Sequence, residues 1–226
     1  MEEFTSGLKD LQMQNEERVA YFLGVIVSDG CASKEKRPES SSTPYQYVVS
    51  LQVTDKEFRD KFAKTLKRLG LNPCKYEHDN KRESNKPIHH VQATSVDLVR
   101  WYKSLEYEDM FPLVTKSDET AYKFIEGAFE GDGHASKGVN NTNTQYWKIT
   151  TSESELKNLY KKILGYLDYN PNIVRVEHDS YNTVEVFNVK LTSQKPIKKM
   201  LDRIEPCMER KKGEFNYPVG RASKSK

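Results

Sequence analysis

Apolar residues recur along the chain with two different periods. Between residues 45 and 53 they alternate with polar residues, and a period of two predicts a half-buried strand. Between residues 58 and 69 they recur every three to four positions, which predicts an amphipathic helix. The same patterns predict a helix over 156–167, and short paired strands at 74–78 with 88–94 and at 173–178 with 184–192.

These elements occur twice because the sequence contains an internal repeat. FLGVIVSDG at 22–30 matches IEGAFEGDG at 125–133 with an offset of 103 residues, and 51–73 matches 149–171 with an offset of 98. Each copy predicts the element order αββαββα. We therefore divide the chain into two repeats, residues 1–115 and 116–226.

Other elements of each repeat are predicted from weaker patterns. The first strands, near 31–36 and 134–139, are polar in sequence. Capping boxes are predicted to begin the first amphipathic helix of each repeat, from Thr54 to Glu57 and from Ser152 to Glu155. The closing helices are predicted from apolar residues at helical spacing, namely Leu98, Tyr102 and Leu105, and Ile197, Leu201 and Ile204.

A stripe of small residues lies on each of the two helices that end in Asp-Gly. Gly24 and Gly127 stand inside these helices, where glycine costs about 0.5–1 kcal/mol relative to alanine, so close packing of the two helices is the explanation we favour. Such packing would bring Asp29 and Asp132 together. At about 6 Å and an effective dielectric of about 20, the two carboxylates would repel by roughly 3 kcal/mol, which favours a bound divalent cation. The alternative is an ordinary helix end with glycine as a left-handed cap.

Composition narrows the class of protein. The 36 basic and 33 acidic side chains nearly balance, so a preference for a partner depends on where the charges lie. Cys31, Cys74 and Cys207 have no CxxC spacing, which argues against a disulfide framework or a thiolate zinc site. The histidines lack helical pair spacing and are poor metal candidates. We expect an intracellular protein, in the cytoplasm or an organelle, without a secretion signal or membrane span.

The segments FLGVIVSDG and IEGAFEGDG resemble the two signature motifs of the LAGLIDADG homing endonucleases, and a single chain with both motifs is similar to the monomeric branch. The resemblance covers nearly the whole chain. It implies a mixed α/β (α+β) fold, in which two pseudo-symmetric αββαββα repeats form a saddle with two antiparallel DNA-binding sheets. The chain departs from the motif at Val27 and Glu130, where the first motif aspartate would stand.

The resemblance also implies an activity. The family's essential acids correspond to Asp29 and Asp132, and its packing glycines correspond to Gly24 and Gly127. The implied reaction is Mg²⁺-dependent hydrolysis of double-stranded DNA with two or three divalent ions, Mn²⁺ being tolerated, and short 3′ overhangs. The implied partner is a long asymmetric target of the intron-insertion type, bound by a monomer in intron homing.

Sequence readout would fall to the polar faces of the sheets in the major groove. For any one of these residues, an ordinary hydrated strand face is an equally good explanation, and the favoured interpretation depends on the set. The DNA-binding candidates are Gln46, Ser50, Gln52, Lys75, His90, Gln92 and Thr94 in the first repeat, and Lys148, Thr150, Arg175, Asn188, Lys190 and Thr192 in the second.

Further groups are assigned to the catalytic site by the resemblance. Asp55 and Glu153 correspond to a position that orients water, although an acid in the first helical turn also suits the helix dipole. The family places a lysine near each site, which points to Lys116 in the first repeat and Lys211 or Lys212 in the second. Solvated lysines are the alternative.

Two other functions remain open on the same scaffold. One is an RNA-splicing maturase and the other is a DNA-binding protein that does not cleave. Loss of the acids often accompanies the first change, and the presence of both Asp29 and Asp132 therefore favours the endonuclease.

Overall fold

A computed structural model of the chain describes residues 16–38, 40–41, 43–79, 86–136, 145–176 and 185–212, without the side chains of Glu209 and Lys212. The first repeat contains α1 (Glu16–Ile26), β1 (Gly30–Lys36), β2 (Tyr45–Val53), α2 (Lys56–Arg68), β3 (Cys74–His78), β4 (Ile88–Thr94), α3 (Val96–Lys103) and α4 (Tyr107–Val114). The second contains α5 (Asp118–Asp132), β5 (Gly133–Ser136), β6 (Tyr146–Thr151), α6 (Ser154–Tyr166), β7 (Asn172–Val176), β8 (Val186–Leu191), α7 (Gln194–Arg203) and α8 (Glu209–Lys212).

The predicted order αββαββα is confirmed in both repeats, and each repeat adds a short helix after its closing helix. The first of these, α4, has Pro112 inside it and spans only eight residues, so its apolar period is too short to be recognised. Asp109 accepts a hydrogen bond from the Glu106 backbone amide at 3.0 Å, which stabilises its start. The polar first strands are present as β1 and β5. The predicted strand residues 137–139, 177–178 and 184 lie outside the described residues.

The predicted capping boxes are wrong. The N-caps of α2 and α6 are Asp55 and Glu153, and neither side chain bonds to its own helix. Both helices begin one residue later than boxes that start at Thr54 and Ser152 would require, and the carboxylates that take the N-cap positions are engaged elsewhere. Asp55 accepts from Arg210, and Glu153 accepts from the hydroxyl of Tyr107.

Each repeat folds its strands into one antiparallel sheet, in the order β1-β2-β4-β3 and β5-β6-β8-β7. One face of each sheet packs on the helices, because alternate residues there are apolar and buried, including Val49, Leu51, Trp147, Ile149 and Val189. We call the opposite face of each sheet the outer face. It carries the polar residues of the same strands.

Helices α1 and α5 form the centre of the molecule. In α1 every residue from Val19 to Ile26 is buried, and this agrees with a helix that is apolar on nearly all sides. The two helices pack on each other and join the core of both repeats. Phe22 stacks on Phe62 of α2, and Phe129 stacks on Trp147 of β6, with ring centroids 6.2 and 5.2 Å apart.

Two buried glutamates of α5 fasten the end of the second repeat to the first. Glu126 and Glu130 are almost completely buried, and the ammonium of Lys61 in α2 binds both of them. Lys61 also donates to the carbonyl oxygen of Glu205, and the Cys207 amide donates to Glu130, each at 2.8 Å. This network holds the segment that follows α7 at Glu205 and Cys207.

No helix in the described part of the chain has the length and apolar character required to cross a membrane.

Candidate active site and nucleic-acid interface

The close packing of α1 and α5 depends on one glycine in each helix. A Cβ atom added at Gly24 would lie 2.9 Å from the Ala128 amide nitrogen, and one added at Gly127 would lie 2.9 Å from the Val25 amide nitrogen. Both neighbours are backbone atoms, which cannot rotate away. The two helices therefore touch along their backbones, and their C-terminal ends are neighbours.

Asp29 and Asp132 lie at these two helix ends. Asp132 is the last residue of α5, and Asp29 follows α1 by three residues. The next residue in each case, Gly30 or Gly133, is the first residue of a strand. Gly133 has φ −81° and ψ 150°, and Gly30 is also outside the left-handed region, so neither glycine is a left-handed cap. An added Cβ at Gly30 would lie 2.8 Å from Ile26 Cδ1, and lack of space explains the glycine.

The environment disfavours charge on both acids. Burial raises the pKa of Asp132 to about 6, with a further contribution from the charge of Asp29 and an opposing one from Lys211. Burial also raises the pKa of Asp29, although part of the residue is exposed, and Lys211 and Arg210 oppose this shift. The two carboxylates are thus close enough to repel each other, which is the electrostatic situation that a bound cation would relieve.

Arg210 of the second repeat reaches Asp55 of the first repeat. Its guanidinium binds the Asp55 carboxylate with two hydrogen bonds, of 3.2 and 2.7 Å. These bonds, together with the positive charge, hold the pKa of Asp55 below its usual value. Asp29, Asp55 and Arg210 line one shallow depression together with Gln52 and Thr54. Sequence reasoning missed Arg210, because its partner lies 155 residues away.

Lys211 is buried close to the two acids. Its ammonium donates to the carbonyl oxygens of Phe129, Glu130 and Gly131 at 2.5 to 2.8 Å, which are among the last carbonyls of α5. Burial lowers the pKa of Lys211 to about 8, and the nearby Arg210 lowers it further, while Asp29 and Asp132 oppose the shift. An ammonium has three donors, and three acceptors already occupy them. Lys211 therefore has no hydrogen bond left for a substrate.

Glu153 and Asp132, the acids of the second repeat, have different neighbours. The hydroxyl of Tyr107 in α4 donates to Glu153. Burial raises the pKa of Tyr107, and the hydrogen bond to Glu153 raises it further. The hydroxyl of Tyr160 is buried with no hydrogen-bond partner among the described residues, and burial and Asp132 raise its pKa. Each water-positioning candidate, Asp55 or Glu153, thus contacts the closing segment of the other repeat. Asp55 forms an ion pair with Arg210, whereas Glu153 accepts a hydrogen bond from the phenol of Tyr107.

Lys116 lies far from these acids, so its predicted position near the first site is wrong. Its ammonium binds Glu16 at 2.8 Å, at the start of α1. Lys116 precedes α5, while Asp132 ends it, and a helix of 15 residues at 1.5 Å per residue is about 22 Å long. The alternative candidate, Lys212, has a side chain outside the described part of the structure.

The donor set around Asp29 and Asp132 suits a hard divalent cation. Mg²⁺ is commonly held by one or two carboxylates with water and substrate phosphates as its other ligands. Within the described residues there is no cluster of three or more His, Cys, Asp or Glu side chains able to hold a metal by themselves. The two aspartates therefore fit an ion that needs the nucleic acid to complete its coordination.

Register places most of the DNA-binding candidates on the outer faces. In the first sheet these are Gln46, Ser50, Gln52, His90, Gln92 and Thr94, and in the second they are Lys148, Thr150, Asn188 and Lys190. Thr192 follows β8 and accepts a hydrogen bond from the Asn172 side chain at 3.4 Å. The structure brings these side chains to the same side of each sheet, away from the helices.

Lys75 and Arg175 lie on the opposite faces, and their assignment to the interface is wrong. Lys75 pairs in register with the buried Val91, and its ammonium binds Asp60 of α2 at 3.1 Å. Arg175 pairs with Phe187 and binds Glu185 at 2.7 Å. Both side chains therefore share the face on which the helices pack.

Aromatic residues of the outer faces were missed by sequence reasoning. Tyr76 stacks on His90 with centroids 4.7 Å apart, and its hydroxyl donates to Gln92 Oε1 at 3.3 Å. In the second sheet, Tyr146 lies beside His134 and beneath the ammonium of Lys190. The signal that could have found them is position, since Tyr76 and Tyr146 stand two residues along the strand from other outer-face residues.

Comparison with known proteins relates both repeats to one domain. A model of the LAGLIDADG-like domain matches residues 16–105 and again residues 119–205. Two uncharacterized proteins of Methanocaldococcus jannaschii, MJ0314 and MJ0398, are each 26% identical to the chain, over 162 and 165 residues. These matches cover 71% and 73% of this chain but 57% and 54% of the relatives. The chain therefore spans about half the length of the curated relatives that it matches.

Solved structures share the fold at low sequence identity. The homing endonuclease I-DmoI in complex with DNA and Mn has a TM-score of 0.57 and 15% identity, with 84% of this chain and 96% of that chain covered. The N-terminal LAGLIDADG domain of DUF199/WhiA has a TM-score of 0.56 and 16% identity, with 84% and 81% covered. Because the family model matches most of the chain, in two copies, this protein belongs to the LAGLIDADG family.

Proposed function

We propose that this protein is a site-specific endonuclease that hydrolyses double-stranded DNA with divalent metal ions, at a long target of the intron-insertion type, and leaves short 3′ overhangs. The observation that carries the proposal is the position of Asp29 and Asp132. Two acids stand close together at the ends of the packed helices, and each directly precedes the first strand of a sheet with a polar outer face. I-DmoI, which shares this fold, has been crystallised with DNA and Mn, Ca or Mg.

The two aspartates would hold the ions, and each would serve one strand. Carboxylate-held divalent ions supply an activated water and neutralise the charge that develops on the phosphate. The raised pKa values of Asp29 and Asp132 favour this assignment, because a cation removes the repulsion that burial makes costly.

Arg210 is the additional residue that we assign to the reaction. Two of its five N–H donors bind Asp55, and its side chain is 60% exposed, so the remaining donors can contact a phosphate beside Asp29. Lys211 takes a positioning role. It binds the carbonyls that precede Asp132 and reduces the net negative charge of the acid pair without touching the substrate.

The test begins with selection of the target. Purified protein in Ca²⁺ is incubated with a randomised duplex library, and the bound DNA is sequenced. A plasmid that carries the selected sequence is then incubated with the protein in Mg²⁺, in Ca²⁺ or in EDTA. We expect linear plasmid in Mg²⁺ and binding without cutting in Ca²⁺. Cutting in EDTA would exclude the metal mechanism, and a selected sequence that is bound but never cut would support the non-cleaving alternative.

The outer face of the first sheet offers a direct test of where DNA binds. Cys31 and Cys74 are exposed there, at the two ends of one row that also contains Ser50 and Gln92. We expect bound duplex DNA to slow maleimide labelling of both cysteines, measured by mass spectrometry. Cys207 is the internal reference, because burial and Glu130 raise its pKa and keep it unreactive.

The variant Lys162→Cys is the matched control for this labelling. Lys162 lies on α6, on the helix side of the second sheet, and its side chain is 57% exposed. The introduced thiol should be labelled at the same rate with and without DNA. Equal protection of the introduced cysteine and of the two natural ones would show that DNA does not select the outer face.

A further inference from the structure

The second sheet carries two lysines at the centre of its outer face. Lys148 and Lys190 are register partners, and Tyr146 lies beneath both, with the ammonium nitrogens 6.0 and 4.5 Å from its ring centroid. His134 and Asn172 complete the same row across the sheet. We call His134, Lys148, Lys190 and Asn172 the basic row. A cation that rests on an aromatic ring is held in a limited set of positions.

The equivalent row of the first sheet has no charge. Gly30 and Gly133 occupy equivalent positions after the two acids, and they pair with Leu51 and Ile149. The next position outward gives Cys31, Ser50, Gln92 and Cys74 in the first sheet, which we call the neutral row. Ser50 of the first sheet is therefore equivalent to Lys148 of the second by pseudo-symmetry, and Gln92 is equivalent to Lys190.

Farther along the first hairpin, the outer face presents acceptors. Glu35 and Gln46 are register partners, and the Gln46 amide nitrogen donates to the Glu35 carboxylate at 3.0 Å. An ionised carboxylate only accepts, so this bond fixes the orientation of the amide and leaves its oxygen without a hydrogen-bond partner among the described residues. Ser33 also donates to Glu35, at 2.8 Å. The pair thus offers free lone pairs on both side chains.

Major-groove chemistry distinguishes these two surfaces. Guanine and thymine present keto oxygens there, whereas adenine and cytosine present amino groups. An ammonium can only donate, and it therefore selects keto oxygens and above all guanine, which adds N7 as a second acceptor. A carboxylate beside an amide oxygen selects amino groups. Every base pair has one keto and one amino partner, so such contacts distinguish the two strands.

We propose that these opposite hydrogen-bonding surfaces fix the orientation of the protein on its target, an inference that rests on the proposed function. The basic row reads guanine in the half-site bound by the second sheet, close to the cleavage centre, because His134 follows Asp132 by two residues. The Glu35–Gln46 pair reads adenine or cytosine toward the outer end of the other half-site. Glu35 is six residues beyond Asp29, about 20 Å along the strand.

The experiment compares the sequences selected by the natural protein and by three variants, from a randomised duplex library in Ca²⁺. The double variant Lys148→Ser, Lys190→Gln gives the second sheet the residues of the neutral row. Its reciprocal is the double variant Ser50→Lys, Gln92→Lys. The third variant, Glu35→Gln, keeps the size of the side chain and replaces an acceptor-only group. Thermal melting checks that all three fold.

The expected result is a change of base preference confined to one half-site. The natural protein should enrich guanine in one half and adenine or cytosine in the outer part of the other. Loss of the two lysines should reduce the guanine preference about five- to tenfold, and their transfer to the first sheet should create it at the symmetric position. Glu35→Gln should weaken the adenine and cytosine preference only.

Three results would overturn the inference. The first is a selected sequence without these preferences, and the second is a loss of affinity in the lysine variant that is equal for all sequences. Equal loss would mean that the lysines contact phosphates, and the salt dependence of binding would then fall by about one per lysine. The third is enrichment of no sequence at all, which would also remove the proposed site-specific function, whereas the first two leave that function intact.

Discussion

Replacing Asp29 or Asp132 by asparagine is expected to slow cutting by about 10²- to 10³-fold while folding and DNA affinity are retained. The amide has a similar volume but binds a divalent ion weakly, so several kcal/mol of metal-assisted stabilisation are lost, and each 1.36 kcal/mol corresponds to a tenfold change in rate. The measurement is cleavage of supercoiled plasmid carrying the selected target, with nicked and linear products quantified separately. Asp202→Asn, at an exposed position of α7, is the control and should cut normally.

The Asp132→Asn variant should also be more stable than the natural protein at pH 8 in EDTA. Asp132 has a folded pKa of about 6 against an ordinary value of 3.8, so its ionised form is disfavoured in the folded state. This penalty is complete above pH 6 and decreases as the pH falls from 6 toward 3.8, where the unfolded chain also becomes protonated. The difference in melting temperature should therefore shrink between pH 8 and pH 5. A difference that grows on acidification would mean that the carboxylate stabilises the fold.

Alanine at Gly24 or Gly127 is expected to lower the free energy of unfolding by about 3 kcal/mol or more. The new Cβ would meet backbone atoms of the facing helix, and a backbone contact can be relieved only by moving the helices apart. Urea unfolding followed by circular dichroism gives the free energy of unfolding. DNA cutting should fall as well, since a displaced helix pair moves both acids.

Gly165→Ala is the matched control for these two variants. Gly165 also lies inside a helix, α6, but a Cβ there would meet no atom within 4 Å apart from its chain neighbours and the backbone of its own helix. The same substitution should therefore raise stability, by up to about 1 kcal/mol, through helix propensity alone. If all three variants were equally stable, the helix interface could not be as close as the structure shows.

The parts of the fold that could be predicted from the sequence are those with a buried face. Strands β2 and β4 have the predicted bounds, and α2 agrees within two residues, because apolar residues at regular spacing define them. Strand β3 also has the predicted bounds, although none of its residues is buried. The wrong faces assigned to Lys75 and Arg175 have a physical cause. All five residues of β3 are exposed, and β7 has no fully buried residue, so the sequence of neither strand shows which side faces the core.

Only those residues of the candidate site that belong to the internal sequence repeat could be predicted. Asp29 and Asp132 are predicted because two motifs coincide in register, and the helix contact between Gly24 and Gly127 follows from glycine inside a helix. Arg210 and Tyr107 were missed because each contacts the other repeat, and no local pattern records such a contact. The hydrogen bonds of Lys211 to α5 likewise depend on the path of the chain after α7.

The crossed contacts, Arg210 with Asp55 and Tyr107 with Glu153, have a consequence for protein engineering. A chimera that joins the first repeat of this protein to the second repeat of a relative, with the junction near residue 115, would remove Arg210 from Asp55 and leave Tyr107 facing a foreign partner. Each candidate site is thus a composite of both repeats. Exchangeable modules should instead carry their crossing segment with the acid it contacts, so that residues 204–212 travel with the first repeat and 105–114 with the second.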